Sequence, residues 1–130
     1  MAGVSMRTPL GRVRGRGAGH GGTGHFIAQR VSATALLVLA PWFALSAALS
    51  MPSPSYLAAI DFLSEPFNAV GVSLLLLIAL YHMRIGMQVI VEDYIHKPFT
   101  KALLLLLNTL APLALGAGAL WAVLLINFGA

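Results

Sequence analysis

The sequence predicts an all-α membrane protein, with three transmembrane helices behind a flexible, basic N-terminal segment. Two observations carry the prediction. Hydrophobic residues make up 58% of the 130 positions and charged residues only 9%, with a mean hydropathy of +0.86. Soluble domains carry roughly 25% charged residues. The apolar residues also fall into three runs, each long enough for the roughly 20 residues that a helical span needs. The chain contains no cysteine. That excludes disulfides, cysteine-held iron–sulfur clusters and covalent c-type haem attachment within it.

Residues 1–26 form a segment apart. Arg7, Arg12, Arg14 and Arg16 alternate there with Gly11, Gly15, Gly17, Gly19, Gly21, Gly22 and Gly24. No hydrophobic period runs through it, so it is expected to be irregular by itself. Most of the net charge of +4 sits in this stretch. The charge is therefore a topology signal and does not point to nucleic acid. A basic start before an apolar run resembles a signal peptide, but this run is too long and no small-residue cleavage pattern clearly ends it.

Residues 27–130 form the membrane domain. The first helix is expected over about residues 27–50, with Gln29, Arg30, Ser32 and Thr34 near its start and Pro41 in its middle. A membrane helix tolerates such a proline when neighbours satisfy the freed carbonyl. Arg30 has two readings, a snorkelling interface anchor and an anion contact, to a haem propionate or near a quinone headgroup. Residues 51–65 connect, with Pro52, Pro54, Asp61 and Glu65. Tyr56, Leu57, Ile60 and Leu63 recur there at helical spacing, so a short amphipathic helix on the membrane surface is expected.

The second helix is expected over about residues 66–95. Pro66 suits a first helical turn, and Pro98 disfavours helix at Lys97. The third is expected over about residues 99–128, interrupted by Asn108, Pro112, Gly116 and Gly118. Gly116-Ala117-Gly118 is a candidate close-packing patch, and Trp121 a candidate interfacial anchor. The positive-inside rule puts the N-terminus in the cytoplasm. The loop holding Lys97 is then cytoplasmic and the C-terminus periplasmic.

The stretch from Leu80 to Pro98 carries the chemistry. Each helical residue turns about 100° and rises about 1.5 Å, so Gly86 lies roughly 40° from His82 and Asp93 returns to within about 20° of it. One stripe then holds an imidazole, a gap and a carboxylate, spread over about 16 Å. If Asp93 and Tyr94 meet one surface, His82 lies near the midplane of a core about 30 Å thick. An imidazole at that depth is costly and has a partner or a task. It is a hydrogen-bonded core histidine, a quinone or proton-path residue, or an axial ligand to haem, which accepts neutral imidazole. Gly86 leans towards haem, because a flat ring system needs a helix face without a side chain. Glycine also serves ordinary helix crossings. Arg84 points about 200° from His82 and is not expected to contact haem directly. Asp93 and Tyr94 also have plain readings, a solvated interfacial carboxylate and a belt tyrosine.

The motif His82-x-x-Ile85-Gly86-Met87, followed by Asp93-Tyr94, resembles the central motif of the hydrophobic membrane-anchor subunits of succinate dehydrogenase (respiratory complex II), of the alphaproteobacterial type. Phe26-Ile27-x-x-Arg30 resembles the N-terminal motif of the same family. Length, three spans and orientation agree, so the resemblance covers nearly the whole chain. Gln88 and Arg84 depart from it, standing where some relatives have an aromatic and an uncharged residue.

The resemblance implies a subunit of the inner membrane that is not catalytic alone. It implies that His82 supplies one axial ligand to a haem b, that Tyr94 hydrogen-bonds ubiquinone and that Asp93 neighbours the quinone site. It implies three partners: a cytochrome b-type subunit giving the second haem ligand, an iron–sulfur subunit and a flavoprotein subunit. The chain would pass electrons from the iron–sulfur subunit to ubiquinone in respiratory electron transport linked to the tricarboxylic acid cycle. The alternatives are a structural anchor without haem or quinone contact, and the anchor of a fumarate reductase.

Overall fold

The computed structural model describes Thr8, Leu10 and residues 22–129. The expectation of an irregular N-terminal segment falls on residues that, up to Gly21, lie outside this range apart from Thr8 and Leu10. Within it the chain is all-α: α1 spans Gly22–Ser50, α2 Tyr56–Ser64, α3 Pro66–Tyr94 and α4 Pro98–Phe128. Three of these, α1, α3 and α4, are long and apolar enough to cross a membrane. At 29 to 31 residues each is about 43–46 Å long, against a hydrocarbon core of about 30 Å. Their ends therefore project beyond the lipid core.

The element boundaries follow from local chemistry. α1 begins at Gly22 instead of Ile27. This is ahead of the apolar run, and Gly22, His25 and Phe26 there line a hollow together with Ile85, Val89 and Glu92 of α3. α1 stops at Ser50, where Pro52 and Pro54 follow. Ser55 caps α2, its hydroxyl accepting a hydrogen bond from the Ala58 amide at 3.2 Å, the usual service of an N-cap serine. Pro66 and Pro98 open α3 and α4 at positions where a missing N–H costs nothing. Gly129 ends α4 in the left-handed region at φ 65°, a conformation that favours glycine.

α3 is the middle of the molecule. α1 packs along one side of it and α4 along another, while α2 rests against α3 and α4. The inward residue of α2 is Phe62, which is buried and meets Phe43 edge-on at 6.2 Å. Tyr56 and Leu57, expected on the apolar stripe, are exposed. The far end of α4 is tied to α2 by Asn127, which donates to the Leu63 carbonyl at 2.6 Å. That bond satisfies one of the carbonyls a helix end leaves open.

Few side chains are buried. Among the described residues Phe62, Ala69, Ile85, Val91, Pro112 and Val123 are the apolar ones, and Ser32 is the polar one. Leu37 and Leu49 are 74% and 86% exposed, as befits surfaces that meet lipid or other chains. In lipid, helices associate through close van der Waals packing and interhelical hydrogen bonds. Both are visible on α3. Asn108 of α4 donates to the Arg84 carbonyl at 2.8 Å, and the Arg84 guanidinium reaches the Thr109 hydroxyl at 3.4 Å. Gly116 is buried where a Cβ would touch Leu77 and Leu80 of α3, whereas Gly118 faces open space. The close-packing patch thus reduces to Gly116.

The tightest backbone approach is on the other side. Trp42, which follows Pro41, lays its ring on α3 where a Cβ at Gly71 would overlap it, and meets Phe67 edge-on at 5.8 Å. Overpacking of this kind typically costs about 1–3 kcal/mol. Gly71→Val is therefore expected to lower the thermal stability of the purified complex by an amount in that range. A variant complex that melts with the wild type would show that the Trp42 contact is not a structural constraint.

Candidate functional site

The seam between α1 and α3 holds the site. His82 is half-buried on the face of α3 that meets α1. Its Nδ1 lies 2.8 Å from the hydroxyl of Ser32, which is only 5% exposed. The same hydroxyl lies 2.7 Å from the Ala28 carbonyl and 3.2 Å from that of Gln29. A serine has one proton to give and two lone pairs. With that proton donated back along α1, the oxygen accepts from Nδ1–H, and Nε2 is the nitrogen with the free lone pair.

Nε2 faces Gln29. The amide nitrogen of Gln29 is 3.5 Å from it, a long contact. Gln29 also fills the space beside Gly86, where an added Cβ would lie 3.6 Å from the same amide nitrogen. The gap expected at Gly86 exists on the backbone and is occupied by a side chain of α1. Gln29 is poorly served by this arrangement, since its Oε1 is buried without a hydrogen-bond partner. Such an atom carries a desolvation cost of about 1–3 kcal/mol.

Two hollows flank this seam towards the start of α1. One, of about 520 Å³, is lined by Gly22, His25, Phe26, Gln29, Ile85, Val89 and Glu92. The other, of about 380 Å³, runs past His25, Tyr81, Arg84 and Gln88. Glu92 accepts from the Gln88 amide at 2.8 Å and its backbone carbonyl accepts from Lys101 at 2.9 Å.

The expected residues are thus partly assembled. His82 and Gly86 share one face and meet α1 together. Arg84 turns to α4, as its angle on the helix requires. Asp93 and Tyr94 are exposed at the end of α3, Tyr94 by 76%, and the acidic group lining the hollow is Glu92. Arg30 is exposed on α1 between Gln29 and Ser32, near the level of His82, and stacks on Phe26, its guanidinium carbon 5.1 Å from the ring centre, a cation–π contact. Ser32, Gln29 and His25 are site residues that sequence reasoning missed. Gln29 and Ser32 stood out only as polar residues at the start of an apolar run, while the 3.6-residue spacing of Ala28, Ser32 and Ala35 marks a small-residue face.

The donor set fits a haem iron. An imidazole fixed at one nitrogen offers the other as a ligand, and Nε2 has only the long contact to the Gln29 amide. Among the described residues, His25 and His96 are exposed at α1's first turn and beyond α3, leaving His82 as the one histidine at depth.

Comparison with known proteins accords with these features. The family model of succinate dehydrogenase/fumarate reductase transmembrane subunits matches residues 4–126. The chain is 30% identical over 125 residues to a Paracoccus denitrificans protein named succinate dehydrogenase hydrophobic membrane anchor subunit, covering 95% of this chain and 94% of that one. It is 29% identical over 90 residues to the Rickettsia conorii protein of the same name, covering 69% and 71% of the two chains. No solved structure matches. A match across nearly the full length, on a three-span helical protein with the motifs around His82 and Arg30, places this chain in the succinate dehydrogenase/fumarate reductase transmembrane subunit family, as a hydrophobic membrane anchor.

Proposed function

We propose that this anchor holds one axial position of a b-type haem through His82 Nε2 and frames a ubiquinone-reducing site with Asp93 and Tyr94. The observation that carries the reading is the half-buried imidazole whose Nδ1 lies 2.8 Å from the Ser32 hydroxyl while its Nε2 has only a long 3.5 Å contact, to the Gln29 amide. A metal-bound histidine characteristically has its second nitrogen fixed in this way. Gly86, one turn on, keeps that face of α3 free of its own side chains. When bound, the haem supplies a one-electron centre between the two membrane subunits. The second axial ligand then comes from a cytochrome b-type partner, with iron–sulfur and flavoprotein subunits completing the complex.

The residues of this chain have simple tasks in quinone reduction. Tyr94 donates a hydrogen bond to a quinone carbonyl and polarises it. Asp93 orients its neighbours or relays protons from water, which its exposure allows. Arg30, exposed on α1 between the two residues that meet His82, offers an anion contact, to a haem propionate or beside the quinone headgroup. The Arg-rich start supports a cytoplasmic position for the Tyr94 end of α3, where protons and an iron–sulfur donor would both be within reach.

A purely structural anchor is favoured by one observation, the Gln29 amide lying over Nε2, which gives His82 a partner on each side within the chain. His82→Ala separates the readings. Haem ligation predicts loss of the b-type haem signal from the reduced-minus-oxidised spectrum of the purified complex and a looser membrane heterodimer. An unaltered spectrum would leave only the structural anchor.

Tyr94→Phe keeps the ring and removes the hydroxyl. One neutral hydrogen bond contributes about 0.5–1.5 kcal/mol, and a bond that strengthens as charge develops on the quinone oxygen affects turnover as well as affinity. The expected result is a several-fold fall in ubiquinone reduction, with succinate oxidation by a soluble acceptor unchanged. If both activities stay in the wild-type ratio, Tyr94 is an interfacial belt residue.

A further inference from the structure

We propose that α1 controls the haem ligand of α3 through two residues: Ser32 positions the His82 ring, and Gln29 covers its ligating nitrogen and yields to the haem. The proposal rests on the reading of His82 as an axial ligand.

Ser32 is suited to hold a ring because it is itself held. It is the one buried polar residue among those described, and its hydroxyl is anchored to its own helix at the Ala28 carbonyl, 2.7 Å away. A hydroxyl so anchored presents its lone pairs outward in a fixed direction. Nδ1 of His82 sits in that direction at 2.8 Å. The bond fixes both the tautomer and the plane of the imidazole, so Nε2 does not have to be ordered when the iron arrives. Accepting a proton bond from Nδ1 also raises electron density on the ring and strengthens Nε2 as a donor to the more highly charged iron. The bond therefore lowers the midpoint potential of the haem.

Gln29 lies one turn earlier on the same face of α1. It touches both features that a haem needs, Nε2 at 3.5 Å and the space beside Gly86, within 3.6 Å of an added Cβ. A side chain there excludes a flat ligand, so the two do not share the position. Gln29 is also weakly held. Its contact to Nε2 is long, and its Oε1 has no partner. A flexible side chain with an unmet carbonyl loses little by swinging out, and the hollow lined by His25, Phe26 and Val89 lies directly beside it. Gln29 thus shields the imidazole from lipid in the haem-free chain and moves aside on loading.

The test uses the assembled complex purified with its haem. The rate of haem transfer to apomyoglobin and the haem midpoint potential are measured for Ser32→Ala, Ser32→Cys, Ser32→Thr and Gln29→Ala. Loss of such a supporting group typically weakens metal binding about 10–100-fold. Ser32→Ala is expected to speed haem loss by a factor in that range and to raise the potential, with Ser32→Thr restoring both. Should the alanine variant fail to assemble, Ser32→Cys keeps the volume and offers only a weak acceptor, so it shifts both readouts in the same direction. Gln29→Ala is expected to retain haem at least as well as the wild type. Wild-type haem retention and potential in Ser32→Ala or Ser32→Cys would overturn the positioning role. Faster haem loss in Gln29→Ala would overturn the covering role. A His82→Ala complex that keeps its b-type haem spectrum would instead refute the ligand assignment on which both roles stand.

Discussion

A helix in lipid can satisfy polar side chains only against another helix, because no water is there to do so. Among the polar groups of α3, the His82 imidazole and the Arg84 guanidinium lie on nearly opposite faces. Each therefore requires its own neighbour. α1 meets His82 with Ser32 and Gln29, and α4 meets Arg84 with Thr109 and Asn108. The placing of α3 between the other spans follows from this division, and so does the position of the candidate site on the α1 side alone.

Much of this was legible in the sequence. Composition gave the membrane class, and Pro52, Pro66 and Pro98 marked the breaks between helices. The 100° advance per residue already separates Arg84 from His82. The fold class and the family resemblance both held. The partners of His82 were not legible, for a physical reason. Helical periodicity tells which residues share a face of one helix but not which face of the next helix it meets. Ser32 and His82 are fifty positions apart, and no local pattern relates them. α1 starts ahead of its apolar run, at Gly22, where no hydrophobic period marks a helix.

Gly86 shows how one feature can be read correctly and incompletely. Its lack of a side chain does clear that face of α3. Gln29 of α1 lies against that face, at ordinary contact distance from where a Cβ would stand. The exposed apolar surface of α1 and α4 and the orphaned Gln29 carbonyl point the same way. These features suit a subunit that works within a larger complex.

The central claim is that the α1–α3 seam presents His82 Nε2 to an iron while Ser32 holds Nδ1. Electron cryo-microscopy of the assembled complex tests it most directly. The account predicts density for a haem beyond Nε2 at bonding distance, Ser32 within hydrogen-bond distance of Nδ1, and Gln29 turned out of the notch at Gly86. A map in which His82 stays packed beneath Gln29, with no group joined to its Nε2, would contradict it.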